Sequence, residues 1–236
     1  HRAMNRFCAF VYKVSKNHTK SCFVLKCDIR KFFANIDHEI LFSILSRYIT
    51  DADIFNLLKN IVGSFDSRTD LKSSVLADSD TAFRKGGIGL PLGNLTSQLL
   101  VNIYTNEFDQ FVRHKLKVKY YMRYADDFVL LSHNRLELEQ RLVQIREFLR
   151  ERLKLSLHPD KVFIKTLASG VDFLGWVHFP DHRVLRTSTK RRMFRRLRVE
   201  PSNETVASYF GLLRHGNAFT LQKCIKESYS STDART

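Results

Sequence analysis

Asp126 and Asp127 stand side by side between an aromatic-rich run, Tyr120, Tyr121, Met122 and Tyr124, and an apolar one, Phe128 to Leu131. Both runs favour strand, so the acidic pair reads as the tip of a hairpin. Adjacent like charges repel, which makes Asp-Asp a poor structural choice there. A divalent cation would remove the cost, because magnesium takes oxygen ligands and is often held by one or two carboxylates together with a substrate's phosphates. The bland alternative is a solvated turn, and a third carboxylate upstream weighs against it. In Phe23 to Ile29, Phe-Val-Leu-Lys-Cys-Asp-Ile, strand alternation puts Phe23, Leu25, Cys27 and Ile29 on one side and Val24, Lys26 and Asp28 on the other. Asp28 is thereby turned away from the more apolar set, near the strand's end.

The elements that must carry these acids can be read outward from them. Residues 1 to 12 have the pattern of a helix end. Asp37 is placed to cap a helix with Ile40, Leu41, Ile44, Leu45 and Tyr48 on one face. Asp51 or Asp53 opens another, with Ile54, Leu57, Leu58, Ile61 and Val62 apolar and Gly63 placed to end it. Residues 64 to 86 are polar and aperiodic, a loop or a mobile hairpin. Gly86 to Gln98 is a glycine-rich turn that could bring backbone N–H groups close to an anion. The helix after it spaces Leu99, Leu100, Ile103, Phe108 and Phe111 for burial. Asn134 can cap the next helix, whose stripe is Leu138, Leu142, Ile145, Leu149 and Leu153. Leu155 to Lys165 reads as two short strands about a Pro-Asp turn, and Val171 to Phe179 as a further strand pair. Residues 203 to 228 read as two helices around His215-Gly216-Asn217, with a frayed tail after Glu227.

Composition narrows the partners. The 236 residues carry a net charge of +15, which points to a polyanion, nucleic acid first. From Arg186 to Arg198 there are seven cations and no acid. Such a run asks for an anion, so Lys190, Arg191, Arg192, Arg195, Arg196 and Arg198 are candidates for contact with a phosphate backbone. No apolar run approaches the ~20 residues of a membrane span. The four cysteines form no C-x-x-C pair; they read as reduced thiols, with Cys27 a small core residue.

Asp28 with the residues after it, and Tyr124-Ala125-Asp126-Asp127, resemble the palm motifs of reverse transcriptases. The similar group is the bacterial one that includes group II intron and diversity-generating retroelement enzymes, and the resemblance runs over nearly the whole chain. It implies an α+β fold: a right-hand polymerase palm of antiparallel sheet with helices on one face, partial fingers and a helical thumb. Residues 1–21 would be a remnant of the fingers, 22–180 the palm with fingers contributions from about 38–96, and 181–236 the thumb. The family's fingers motifs, whose basic residues hold the incoming triphosphate, are absent, so the chain is expected to be N-terminally incomplete.

The implied activity is RNA-directed DNA polymerisation with two magnesium ions, for which manganese could substitute. Asp28 and Asp126 would bridge the ions, with Asp127 supporting and the Ile29 carbonyl a further ligand. Phe33 matches the family's aromatic residue under the sugar 2′ position. Leu92, Gly93 and Gln98 match positions beside the new base pair, and Lys161 the lysine near the leaving pyrophosphate. Phe173, Leu174 and Gly175 match the primer grip. The implied partners are an RNA template, a DNA or RNA primer, deoxynucleoside triphosphates and an accessory retroelement protein, in a bacterial or phage-encoded cytoplasmic setting. Leu92 before Gly93, with Ser97-Gln98 after it, is similar to the error-prone retroelement enzymes, where group II intron enzymes carry Gln and Pro. A group II intron or retron-type enzyme, an RNA-directed RNA polymerase (disfavoured by Phe33) and a non-catalytic RNA-binding remnant are the alternatives.

Overall fold

The structure, a computed structural model, describes residues 2–64, 87–199 and 202–233, so the expected loop or hairpin at 64–86 lies outside the described residues save for Ser64. The chain divides into two compact units, residues 25–164 and residues 1–24 with 165–236.

The first unit is built on strands β1 (Phe23–Asp28), β2 (Tyr121–Tyr124), β3 (Asp127–Ser132) and β4 (Phe163–Thr166), in the order β2-β3-β1-β4. The unit boundary falls within β1 and β4. β2 and β3 are antiparallel in the register Tyr121 to Leu130 through Tyr124 to Asp127, which leaves only Ala125 and Asp126 in the turn. β1 and β3 are interior strands, and each buries consecutive residues, Val24 to Cys27 and Phe128 to Ser132. The alternation read in β1 is therefore not an alternation of burial: Lys26 is buried along with its neighbours.

Among the described residues, the α-helices of this unit are α2 (His38–Leu45), α3 (Ala52–Gly63), α4 (Leu95–Gln110) and α5 (Arg135–Leu153). The caps are those expected. The Ile40 amide donates to Asp37 Oδ1 at 3.1 Å, the Ile54 amide to Asp51 Oδ1 at 3.0 Å and the Leu136 amide to Asn134 Oδ1 at 3.0 Å. Three expected faces need correction. Tyr48 lies past the end of α2 and is exposed. On α3 only Val62 is buried, while Ile54, Leu57 and Ile61 face outward, because periodicity marks an apolar face without supplying a partner for it. On α4 the buried stripe is Ser97, Leu100, Val101, Tyr104, Thr105 and Phe108, and Leu99 is exposed. Polar residues enter that stripe: the Thr105 hydroxyl is satisfied locally, donating to the Val101 carbonyl at 2.7 Å, and the Tyr104 hydroxyl donates to the Leu153 carbonyl at 2.6 Å. Phe108 then packs edge-on against Phe128 and Tyr121, joining α4 to the β2–β3 hairpin. In place of two strands, 155–165 holds a bridge between Leu157 and Ile29, a 3-10 turn at Pro159–Lys161 and the start of β4.

The second unit joins α1 (Arg2–Val14) to an antiparallel sheet, β5 (Val171–Phe173), β6 (Trp176–His178) and β7 (Arg183–Leu185), and to helices α6 (Thr187–Val199), α7 (Asn203–Leu213) and α8 (Phe219–Asp233). The sequence pattern does not predict β7, and α8 continues past Glu227. Leu174 and Gly175 make the β5–β6 turn, both with positive φ (54° and 83°), as a two-residue hairpin turn favours. The core gathers Met4, Trp176, Leu185, Met193, Leu213, Ala218 and Ile225. None of the described helices is long and apolar enough to cross a membrane.

Candidate active site

The hairpin places its acids as expected: Asp126 in the turn after Ala125 (φ 54°), and Asp127 as the first residue of β3. The Ile29 amide donates to the Asp126 carbonyl at 3.1 Å, which sets the end of β1 against the tip. Beyond it, the His158 amide donates to the Asp28 carbonyl at 2.8 Å and the Arg30 amide to the Ser156 carbonyl at 2.9 Å. The Ile29 carbonyl takes part in neither bond. Three carboxylates 98 and 99 residues apart in sequence are thereby brought to one end of the sheet.

Two lysines stand among them. Lys161 Nζ is 3.2 Å from Asp28 Oδ2, and Lys26 Nζ is 3.2 Å from Asp127 Oδ1. The second contact is an ion pair without a hydrogen bond's alignment, so Asp127 Oδ1 is a buried oxygen with no hydrogen bond. Burial raises the Asp126 pKa above its ordinary value; a backbone bond opposes this, Asp28's charge adds to it, and both lysines pull it back. The Asp127 pKa is also raised, by burial first, against the opposing Lys26 and with Asp28 and Asp126 adding.

Among the described residues no three His, Cys, Asp or Glu side chains converge as a ready-made metal centre. Magnesium rarely uses an all-protein cage; it keeps waters and adds substrate phosphates to one or two carboxylates. The donors here fit a hard divalent cation on two counts. They are oxygens only, and one is a buried carboxylate oxygen lacking a hydrogen bond.

The tip is held from behind by residues the sequence did not single out. Arg123 donates from Nε and Nη2 to the two oxygens of Asp109 on α4, at 2.9 and 2.7 Å, and from Nη1 to the Ala125 carbonyl at 3.1 Å. The Tyr121 hydroxyl donates to Asp109 Oδ1 at 2.6 Å. Burial tends to lower the Arg123 pKa, but the bonds and charge of Asp109 more than offset it and the net direction is upward. Burial, then Asp109, pushes the Tyr121 phenol well up. Lys26 carried a readable signal, a lysine on Asp28's side of the strand; the Asp109–Arg123 pair carried none, being 14 residues apart on different elements.

The glycine-rich turn is pinned beside Phe33. The Leu90 amide donates to the Phe33 carbonyl and the Gly89 amide to the Ile36 carbonyl, each at 2.8 Å. Buried His38 reaches the Gly89 carbonyl through Nε2 at 2.6 Å, and its own amide donates to the Gly87 carbonyl at 3.1 Å. A Cβ on Gly87 would clash with the His38 ring at its Nδ1. Phe33 itself is half-buried, edge-on to Phe32. Past the pinned part, Leu92, Gly93 and Gln98 are exposed. Leu92 is 79% exposed, so it does not pack under the loop.

The remaining candidates belong to the other compact unit. Phe173 is fully buried against Phe7, leaving Leu174 and Gly175 as the turn residues of that motif. Lys190, Arg191, Arg192, Arg195, Arg196 and Arg198 all project from α6 into solvent, with Met193 as the helix's buried anchor. None of the six has an acidic partner among the described residues.

Residues 2–178 match the sequence model of the family described as reverse transcriptase (RNA-dependent DNA polymerase). Protein YkfC of Escherichia coli K12 is 28% identical over 213 residues, covering 77% of this chain and 51% of that protein. The group II intron-encoded protein LtrA of Lactococcus lactis is 24% identical over 227 residues, covering 70% of this chain and 35% of that protein. The chain thus spans about half of the first relative and about a third of the second. Among solved structures, telomerase from Candida albicans with a fragment of telomeric RNA matches at a TM-score of 0.51 and 12% identity, covering 79% of this chain and 34% of that one; the likeness is one of fold.

Proposed function

The chain belongs to the reverse transcriptase (RNA-dependent DNA polymerase) family, and from that premise we propose that its protein extends a DNA or RNA primer on an RNA template with deoxynucleoside triphosphates. The observation that carries the reading is the bond from the Ile29 amide to the Asp126 carbonyl, which gathers Asp28, Asp126 and Asp127 at one end of the sheet. Asp28 and Asp126 hold two magnesium or manganese ions, with Asp127 and the Ile29 carbonyl as further oxygens. Bound there, the ions supply charge neutralisation at the attacking and leaving oxygens of phosphoryl transfer.

The protein's own groups do the rest. Lys161, exposed beyond Asp28, offers a proton or a positive charge to the departing pyrophosphate. The Phe33 ring fills the space a ribonucleotide's 2′-hydroxyl would need. Leu174 and Gly175 grip the primer, and the six cations of α6 track a phosphate backbone. Residues 1–21 are assigned to the fingers, 22–180 to the palm with fingers contributions, and 181–236 to the thumb.

We further assign the enzyme to the error-prone retroelement kind, acting in the cytoplasm with an accessory protein. Support comes from the free-standing Leu92, which offers a base pair dispersion contact but no hydrogen bond. A group II intron enzyme is the second reading, favoured by the likeness to LtrA. Primer extension by the complete polypeptide on a defined RNA, followed by sequencing of the product, tests both. Errors concentrated at template adenines support the first, an unbiased low error rate the second, and RNA binding without synthesis removes both.

A further inference from the structure

We propose that Arg123 is the positioning residue of the carboxylate tip, fixing the Ala125–Asp126 turn to α4 and so holding Asp126 against the end of β1. The inference takes its consequence from the polymerase reading above and its premise from geometry alone.

All three nitrogens of one planar guanidinium are in use at once: Nε and Nη2 on the Asp109 carboxylate, and Nη1 on the Ala125 carbonyl at 3.1 Å and on Asn102 Oδ1, also of α4, at 3.4 Å. Because the fork is rigid, fixing it at Asp109 also fixes where the Ala125 carbonyl must sit. That matters at Ala125, since a left-handed conformation is costly for a non-glycine residue and persists only where the surroundings determine it. The turn is held from both sides, by Arg123 on the Ala125 carbonyl and by the Ile29 amide on the Asp126 carbonyl. Asp109 is itself immobilised by the Tyr121 hydroxyl. Its helix also carries Gln98 in its first turn, so residues proposed to meet the nucleotide and residues proposed to meet the metal are referenced to one rod.

A plain stabilising ion pair would loosen the hairpin as a whole when broken. A positioning residue loosens the tip alone. Arg123→Lys keeps the charge but has a single ammonium, which does not span both targets. Asp109→Asn keeps the shape and weakens the fork's anchor, and it carries the test should Arg123→Lys fail to fold. In both variants of the complete polypeptide, hydrogen exchange at the Ile29 amide is expected to speed up by roughly tenfold, while the Leu131 amide, bonded to the Tyr120 carbonyl at the hairpin's far end, is unchanged. Manganese affinity, read by electron paramagnetic resonance on the protein alone, is expected to weaken by about tenfold. Unchanged Ile29 exchange, or equal acceleration at Ile29 and Leu131, overturns the proposal. A parent protein that fails to extend a primer removes the polymerase reading but leaves the exchange comparison intact.

Discussion

The carboxylate tip and helix α6 handle charge in opposite ways. Around the tip Asp28 faces Lys161, Asp127 faces Lys26 and Asp109 is forked by Arg123, and all of these but the exposed Lys161 are largely withdrawn from water. On α6 six cations stand in solvent with no acid assigned to them among the described residues. Charges that must act on a single phosphorus atom gain from being immobilised where the dielectric is low. Charges that follow a moving polyanion gain from staying mobile, and draw their affinity from released counterions instead of fixed geometry.

The largest test removes one charge from the ordered side. Asp126→Asn is expected to cut synthesis by roughly a thousandfold or more while leaving RNA binding in place. Its effect on stability has the other sign. The folded pKa of Asp126 lies above 3.8, so the ionised carboxylate is the disfavoured form and its cost grows as pH rises through that folded value. The variant's melting temperature should match or exceed the parent's at pH 7, with the gap closing toward pH 4. A variant that melts lower at neutral pH would show that the tip's charges stabilise the fold, collapsing the contrast.

Acid sharpens the contrast between the two units. His178 is buried, with Nε2 donating to the Phe173 carbonyl at 3.2 Å and Nδ1 lacking a partner, and burial lowers its pKa from 6.5 to about 4. A depressed histidine contributes stability above its unfolded pKa, and that contribution is lost as pH falls from 6.5 through 4, on the order of 3 kcal/mol. The unit of α6 should therefore weaken in acid, whereas protonation relieves the tip. Calorimetry across this range on His178→Gln should show a flatter acid limb than the parent, and identical limbs would remove the assignment.

On the solvent-exposed side, replacing Arg191, Arg192, Arg195 and Arg196 with Gln should weaken nucleic-acid binding about a hundredfold at low salt and flatten the log–log salt slope by up to about 0.7–0.9 per lost contact. Titrations at several salt concentrations that show the parent slope would mean that α6 touches no phosphate. The smallest expected effect is at the exposed loop, where Leu92→Gln should lower misincorporation opposite template adenine by roughly tenfold. Sequenced products with no adenine bias, unaltered by the substitution, would detach fidelity from this residue.

What could be read from the residues beforehand follows from the range over which each signal acts. The caps at Asp37, Asp51 and Asn134 are local bonds, and each was legible. The hairpin tip was legible because strand, turn and strand adjoin. Burial across elements was not. The apolar face of α3 gave no hint that it would stay exposed, and Ser97 and Thr105 hid the true inner stripe of α4 because they are polar types that are nonetheless buried, Thr105 with its hydroxyl satisfied within the helix. The wiring of the site was hidden for the same reason: Arg123 and Asp109 are ordinary surface types until the fold buries them together.

The turn from Gly87 to Gln98 has one further consequence, for how the protein can change over generations. In its first part the His38 ring lies against Gly87 and bonds the Gly89 carbonyl, and even a methyl at Gly87 collides with that ring. Its second part, at Leu92, stands 79% exposed. Substitutions there escape the stability threshold that purges most mutations. On the role proposed for Leu92, selection could tune copying accuracy there without the chain drifting toward unfolding, which would make error rate and foldability separable traits within a dozen residues.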